Sequence, residues 1–431
     1  MALTGRAGLL ALLGALVVGL LAPAWWGLLL VTGLVLVLVG VDLALAGPVR
    51  SLQLDRSGDV ATRLGETATV TLLVGNPSGR PVRGHLRDAW GPSAGATQQR
   101  HALDVPAGER RQVTTTLRPT RRGDRFAHRV TVRAVGPLGV AARQGSHEVP
   151  WRVRVLPPFT SRKHLPAKLA RLRQLDGRAA VMIRGQGTEF DSLREYVLGD
   201  DVRSIDWRAS ARAADVMVRT WRPERDRRIL LVLDTGRTSA GRVGDAPRLD
   251  AAMDAALLLA ALASRAGDRV DLLAYDRRVR ARVEGASATE LLPTLVEAMA
   301  PLEPELVESD YAGMVATVLA RTSRQSLVVL LTGLDATPVQ EGLLPALPML
   351  VRQHRVVVAS VGDPRVDEMA RGRGDAEAVY DAAAAERARA DRGRVAELLS
   401  RRGIEVVDAG PDQLPPLLAD RYLAMKAAGR L

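Results

Sequence analysis

Two uncharged apolar runs near the N-terminus constrain this chain more than any other feature. Ala7 to Ala22 carries no charge, and neither does Gly27 to Val41. Pro23-Ala24-Trp25-Trp26 separates them, and the second run resumes after Asp42 as far as Ala46. A helix needs about 20 residues, roughly 17–25, to cross the hydrocarbon of a bilayer. Trp25 to Ala46 is long enough, whereas the first run is slightly short unless Thr4 and Arg6 lie at the surface. Neither run has a polar face, which argues against a buried helical hairpin of a soluble protein. Trp25 and Trp26 suit an interfacial position. Arg6 and Arg50 bracket the pair and the turn between the runs has no basic residue, so the positive-inside rule places both termini in the cytoplasm. The reading is a transmembrane helical hairpin over 1–48, multi-pass in the cell membrane, with the soluble domains cytoplasmic. The alternative is a signal peptide with Arg6 as its basic region and Ala22-Pro23-Ala24 as its cleavage site. The second run is then a stop-transfer helix, and the later domains remain cytoplasmic.

Composition closes several function classes. The 431 residues suffice for two or three domains. The absence of cysteine excludes disulfides, zinc ribbons, iron–sulfur clusters and thiol nucleophiles. Only three of 60 basic residues are lysine: Lys163, Lys168 and Lys426. They precede His164, Leu169 and Ala427, so none completes the Gly-Lys-Ser/Thr of a phosphate-binding loop. Any ATP hydrolysis must come from a partner. The net charge of +12 divides into +10 over 1–160, +6 over 161–228 and −4 over 229–431. Basic residues near an anionic leaflet each add about 1 kcal/mol of attraction. Nucleic acid is the other acidic partner that a basic half allows, but no recognised motif accompanies it and none is expected.

Residues 49–156 read as an all-β, sandwich-like domain. Short Val- and Thr-rich segments (Thr67–Val74, Gln112–Leu117, Arg129–Ala134, Trp151–Leu156) alternate with turns at Asn76-Pro77-Ser78-Gly79 and Gly136-Pro137-Leu138-Gly139. Gly91-Pro92-Ser93-Ala94-Gly95 fits the spacing of a serine nucleophile elbow, but the flanking residues read as a loop rather than strand-turn-helix. Residues 157–227 form a linker with a basic helix near Lys163–Arg178. From 228 to 431, apolar strands (Ile229–Leu233, Val270–Tyr275, Leu327–Leu331, Val356–Val361, Ile404–Val407) alternate with helices. That order predicts an α/β domain with a doubly wound parallel sheet. Ligands of such sheets bind beyond the C-terminal strand ends, which directs attention to the loops at Asp234, Ser309 and Thr332.

Between the two domains, 26 residues concentrate charge and aromatic groups: Gly187, Glu189, Phe190, Arg194, Glu195, Tyr196, Gly199, Asp200, Asp201, Arg203, Asp206, Trp207, Ser210 and Arg212. Phe190, Leu193 and Val197 have the spacing of one helical face. Ile205 and Trp207 are expected to anchor the second half, and Arg203 and Arg212 to pair with carboxylates. Three roles compete. The segment is a polar clamp holding the linker on the α/β domain, or a partner-binding surface, or an acid–base site in which Glu189 works with Asp200 or Asp206. The last is disfavoured by the neighbouring arginines and the lack of a nearby histidine.

This segment resembles the signature of the bacterial "domain of unknown function 58" family, G-x-E-F-x-x-L-R-x-Y-x-x-G-D-x-x-R-x-I-D-W-x-x-S-A-R, at every specified position. The resemblance extends along the chain: a membrane hairpin, a β domain, the signature and a von Willebrand factor A-like domain are the family's usual layout. It implies a membrane-anchored interaction scaffold or adaptor. The implied partner is a MoxR-type AAA+ ATPase, whose genes often lie beside those of the family, in chaperone-like assembly or maturation. The resemblance implies no catalytic activity, and no catalytic residues are assigned.

Von Willebrand A-like domains often hold magnesium through D-x-S-x-S, a distant threonine and a later aspartate, a set of hard oxygen ligands. The corresponding residues are Asp234-Thr235-Gly236-Arg237-Thr238, Ser309-Asp310 and Thr332-Gly333-Leu334-Asp335. Gly236 replaces a hydroxyl, Gly333 stands where an acid is usual, and Asp335 comes two residues late. Asp234, Thr238 and Ser309 remain as a degenerate site, and no resident cofactor is expected. His354 is the one histidine after residue 165, so no histidine site competes.

Overall fold

The computed structural model describes residues 2–21, 24–182, 189–198, 200–213, 215–222, 227–322 and 324–431. They form two compact units, 1–156 and 157–431.

The first unit opens with β1 (Ala2–Leu3) and helices α1 (Gly5–Leu21) and α2 (Trp25–Leu45). Among the described residues one helix, Trp25–Ser51 with its continuation, is long and apolar enough to cross a membrane, and Gly5–Leu20 is a shorter apolar helix. The two pack closely where Gly14 lies against Val31, a contact that a side chain at 14 would block. Their outer faces are bare leucine, valine and tryptophan, with Leu20 at 74% exposure and Trp25 at 76%.

Eight strands follow: β2 (Gln53–Gly58), β3 (Ala61–Arg63), β4 (Ala68–Gly75), β5 (Val82–Trp90), β6 (Arg100–Val105), β7 (Arg110–Leu117), β8 (Gly123–Val135) and β9 (Ala141–Leu156). One sheet runs β1-β9-β8-β5-β6, with β3 parallel to β9; the other runs β2-β4-β7. Inward residues alternate with outward ones, as along β4, where Ala68, Val70, Leu72 and Val74 are buried. The apolar core includes Leu72, Val82, Leu86, Leu103 and Val132. Sequence reading missed β2, β5 and β6. In β2 and β5 the inward residues include Arg56, Gly84 and Asp88, which break the apolar alternation.

Asp42 is fully buried. Its carboxylate accepts backbone N–H bonds from Leu138 (2.8 Å) and Val140 (2.6 Å) in the turn between β8 and β9, and from Ala141 (2.7 Å), the first residue of β9. The hydroxyl of Thr4 donates to the Gly139 and Val140 carbonyls at 2.6 and 2.9 Å. Both outer ends of the helix pair therefore meet one β-turn.

The sandwich also buries an ion pair, Arg56 Nη2 to Asp88 Oδ1 at 2.6 Å. Asp88 further accepts from Trp90 Nε1 (2.9 Å) and Thr115 Oγ1 (3.2 Å), and the Arg56 guanidinium stands 5.6 Å from the Trp90 ring centroid. Burial lowers the pKa of Arg56, and the Asp88 charge opposes that shift.

In the second unit, α3 (Leu165–Met182) precedes a small antiparallel ladder of β10 (Glu189–Glu195) and β11 (Met217–Arg222), with the one-turn helix α4 (Trp207–Ser210) between them. The helical face proposed for Phe190, Leu193 and Val197 is thus corrected. Those residues enter a strand and its exit because β11, two dozen residues later, supplies the pairing.

The remainder comprises β12 (Arg228–Asp234), α5 (Arg237–Ala240), β13 (Arg242–Val243), β14 (Ala246–Pro247), α6 (Arg248–Arg265), β15 (Arg269–Tyr275), β16 (Val279–Val283), α7 (Leu291–Met299), α8 (Tyr311–Leu319), β17 (Leu327–Leu331), α9 (Leu344–Gln353), β18 (Arg355–Val361), α10 (Pro364–Met369), α11 (Ala376–Arg401), β19 (Glu405–Ala409) and α12 (Leu414–Ala427). A π-helical segment, Pro338–Leu343, leads into α9. The sheet order is β16-β15-β12-β17-β18-β19, parallel except for the edge strand β16. Leu230 and Val232 join a core with α8, α9 and α11. The alternate face packs on α6 and α12. Strand order reverses at β12, whose end, beside β17, is the position where such sheets bind ligands.

The buried pair gives the first prediction. Asp88→Ala leaves the Arg56 charge buried without its partner and should destabilise the first unit by about 3–5 kcal/mol. Replacing both residues by apolar ones of similar volume should cost much less. Chemical unfolding of the full chain in detergent measures the difference.

Candidate functional site

β12 ends in Asp234, which is buried. Its Oδ1 accepts from the Gly236 N–H at 2.9 Å and from Ser309 Oγ at 2.5 Å. Its Oδ2 accepts from the hydroxyls of Thr332 (2.6 Å), Thr238 (2.9 Å) and Tyr311 (3.1 Å). The loop after β12, the start of α5, the loop before α8, α8 itself and the end of β17 thus converge on one carboxylate. The sequence reading of Asp234, Thr238 and Ser309 places the right three together. It missed Tyr311, whose position at the start of an apolar helix reads as ordinary core. It also gave Thr332 only as a loop marker.

Burial, and then the Asp234 charge, raises the pKa of the Tyr311 phenol well above its ordinary value, so the hydroxyl remains a donor. Gly236 has a steric reason: a Cβ there would collide with Ser309 Oγ. Likewise a Cβ at Gly333 would crowd Asp335 and Thr238. Asp335 instead pairs with Arg248 Nη1 at 3.2 Å. Thr238, Thr332, Gly333 and Arg248 line an adjoining cavity of about 10 Å³, roughly the space of one water.

A magnesium ion bound to Asp234 would have to displace hydrogen bonds of this cluster. The cluster offers one carboxylate, both of whose oxygens already accept protein donors, and a guanidinium lines the neighbouring space. Among the described residues no group of three or more His, Asp or Glu side chains is placed to hold a metal. The chemistry that the arrangement does provide is fixation of the loops at the switch point.

The signature residues form a second polar framework. Arg194 Nη2 pairs with Asp200 Oδ1 at 2.5 Å, while Asp200 Oδ2 accepts from the Val197 N–H at 2.9 Å. That bond raises the pKa of Arg194. Asp201 caps the 3₁₀ turn Val202–Ser204 through the Arg203 N–H at 3.0 Å. Asp206 caps α4 through the Arg208 and Ala209 N–H groups, both at 3.0 Å, and accepts from Arg219 Nε at 2.8 Å. The Ala209 N–H, then the Arg219 side chain, hold the Asp206 pKa below the ordinary aspartate value. Ser210 Oγ donates to the Asp206 carbonyl and accepts from the Met217 N–H, each at 2.8 Å. Glu195 closes the strand opposite Met217, and Tyr196 N–H continues the ladder to the Val216 carbonyl at 2.7 Å.

Three expectations change here. Among the described residues, the ion pairs are made by Arg194 and Arg219, not by the side chains of Arg203 and Arg212, which are exposed. Trp207 is not an anchor: the Asp206 cap makes it the first residue of α4, and it is 68% exposed. Ile205 does bridge to Val218 and is half-buried. Third, the linker is fixed elsewhere. Thr160 Oγ1 and Ser161 Oγ each bond Asp254 of α6 at 2.7 Å, and Lys168 and Arg171 meet Asp420 of α12 at 2.7 and 3.0 Å. Gly199 and the side chains of Glu189 and Phe190 lie outside the described residues.

The framework leaves apolar groups facing solvent: Leu198 at 96%, Trp207, Val202 at 64% and Val197 at 60%. Gly91–Gly95 is no elbow: Pro92–Ala94 forms a 3₁₀ turn, in which Ser93 Oγ accepts from Arg125 Nη1 at 2.8 Å.

A family described as "Protein of unknown function DUF58" matches residues 192–403. An uncharacterized protein of Mycobacterium tuberculosis (strain ATCC 25618 / H37Rv) is 27% identical over 197 residues, 45% of this chain and 61% of that protein. A Mycobacterium bovis protein, also uncharacterized, matches equally. The match therefore spans less than two thirds of these relatives' length. Among solved structures, the CARDB domain of a Pyrococcus furiosus protein is 18% identical, covers 24% of this chain and 92% of that one, and has a TM-score of 0.19. A PapD-like domain of a human protein is 14% identical, with coverages of 24% and 84% and a TM-score of 0.18.

Two predictions follow from the two frameworks. Tyr311→Phe should cost about 1 kcal/mol, one hydrogen bond, whereas Asp234→Ala strips four hydroxyls of their acceptor and should cost about 3 kcal/mol or more. Thermal unfolding with and without magnesium checks both, and the unaltered chain should show no magnesium-dependent rise in Tm. The lowered Asp206 pKa means that its bonds stabilise the signature fully above the ordinary aspartate pKa of about 3.9, and that this is lost as pH falls through the lower folded value. Limited proteolysis within 200–215 by an acid-tolerant protease should accelerate only on strong acidification. In Asp206→Ala it should be fast already at neutral pH.

Proposed function

We propose that this chain is a membrane-anchored interaction scaffold whose signature segment meets a protein partner. The observation that carries this is the bare apolar surface of Leu198, Trp207, Val202 and Val197 on a segment whose carboxylates are committed to holding its own backbone. Solvated tryptophan and leucine in one short segment are costly to keep exposed and suit a contact surface. Asp200 and Asp206 are bonded to arginines and backbone N–H groups, which leaves an acid–base reading without a free pair. The implied partner, from the resemblance to the family, is a MoxR-type AAA+ ATPase. This chain's α/β domain is read as von Willebrand A-like: its sheet order, with β16 antiparallel at the edge, supports that reading, and its metal motif is replaced by the hydroxyl cluster around Asp234.

The anchor is α1 with α2. Their exposed leucines suit lipid, and the docking of Thr4 and Asp42 on one turn supports an even number of crossings. The positions of Arg6 and Arg50 support a cytoplasmic side for that turn and for the domains that follow.

The test uses a purified MoxR-type ATPase from the same organism and the full chain in detergent. Leu198→Ser with Trp207→Ala should weaken binding by about 2 kcal/mol or more, roughly thirtyfold, without changing Tm. No binding by the unaltered chain, or equal binding by the variant, would defeat the proposal.

A further inference from the structure

The foot of the helix pair carries a ring of arginines. Arg133 Nη2 donates to the Leu3 carbonyl at 2.6 Å, Arg143 Nε to the Leu43 carbonyl at 2.8 Å, and Arg80 Nη1 to the Ala44 carbonyl at 2.6 Å. The Arg6 guanidinium lies over Gly139 in the turn that holds Asp42. Arg6, Arg80 and Arg143 are exposed. Each of the three donors spends one of its five N–H groups on a carbonyl beside an apolar segment; Arg80 and Arg143 are exposed, whereas Arg133 is half-buried with its Nε withdrawn from solvent. The nearby Asp42 carboxylate is fully buried and accepts from three backbone N–H groups.

Apolar side chains stand next to this ring: Leu3 is 67% exposed, Leu45 52% and Leu138 43%. The surface thus changes over a few residues from apolar to cationic, at the end of α2 opposite to Trp25 and Trp26. That succession matches a phospholipid, whose acyl chains end where its phosphate begins. A nucleic acid or an acidic peptide would satisfy the arginines but would leave the leucines in water.

We infer that Arg80, Arg133 and Arg143, with Arg6, form a collar that binds the phosphates of anionic phospholipids and so seats the β domain directly on the leaflet. The inference rests on the membrane-anchor reading above. Arg80 and Arg143 are held by carbonyls of the last turn of α2 and Arg133 by that of Leu3 just before α1, so the collar sits at a fixed depth relative to the apolar segments. A flexible basic tail would not. An arginine close to an anionic surface contributes about a fivefold change in binding, so three together give roughly a hundredfold.

Native mass spectrometry of the detergent-purified full chain, titrated with phosphatidylglycerol or phosphatidylcholine, tests this. The expected result is tighter retention of phosphatidylglycerol, with a preference that shrinks as salt is raised. The triple variant Arg80→Gln, Arg133→Gln, Arg143→Gln should lose roughly a hundredfold in phosphatidylglycerol affinity and little in phosphatidylcholine affinity. Equal retention of the two lipids by the unaltered chain, or an undiminished preference in the variant, overturns the collar. If the variant fails to fold, the salt titration of the unaltered chain decides: a preference insensitive to salt overturns the proposal. Reconstitution into vesicles separates the two readings. A chain that inserts equally into phosphatidylcholine vesicles and equimolar phosphatidylcholine–phosphatidylglycerol vesicles keeps its anchor and loses the collar. A chain that inserts into neither loses both.

Discussion

A carboxylate withdrawn from water must be met by donors, and both units of this chain are organised around that requirement. Asp42 meets three backbone N–H groups, Asp88 an arginine, an indole and a hydroxyl, Asp234 one N–H and four hydroxyls, and Asp254 the Thr160 and Ser161 groups. In each case at least one donor comes from a distant part of the chain. The bonds therefore set how the helix pair joins the β domain, how two sheets share a core, how loops gather at a switch point and how the linker lies on α6. The cost of leaving any such group unmatched is what makes these junctions specific rather than approximate.

At the switch point this has a consequence for chemistry. A sheet of this order offers a place for a ligand beside Asp234, and the side chains there spend that opportunity on internal bonds. Tyr311 occupies the space with a buried hydroxyl that donates to Asp234, and burial raises the pKa of its phenol further. Gly236 and Gly333 are small because Ser309, Thr238 and Asp335 fill the positions next to them. The outcome is a loop cluster closed by its own hydrogen bonds, whereas the signature segment carries exposed apolar side chains. There the same logic operates at the surface: Asp200, Asp201 and Asp206 organise short turns, and the apolar residues of those turns are left outside.

The arginine-rich composition is easily read as a diffuse basic field. Position separates its members. Arg56 is buried against Asp88, Arg194 and Arg219 brace the signature, Arg248 pairs with Asp335, and Arg80, Arg133 and Arg143 cap the carbonyls where the apolar segments end. The same residue type thus does packing, bracing and surface work, and the count of arginines predicts none of these.

The sequence by itself determined the elements whose signal is local. The apolar runs of α1 and α2, the alternating strands β4 and β7 and the continuous strands β12, β17 and β18 can be read from periodicity, because burial on one face or both imposes it residue by residue. The signature was recognisable as a string, and Asp234, Thr238 and Ser309 as oxygen donors at strand ends. Tertiary structure decided the rest. β10 is a strand because β11 pairs with it across an intervening helix, and Trp207 is exposed because a capped turn points it outward. Tyr311 belongs to the Asp234 cluster because β12 and β17 are neighbours, and Asp42 ends an apolar helix without penalty because a turn almost a hundred residues away presents its N–H groups. These are pairings between segments far apart in the chain, and no local pattern encodes which distant donor will satisfy a given carboxylate.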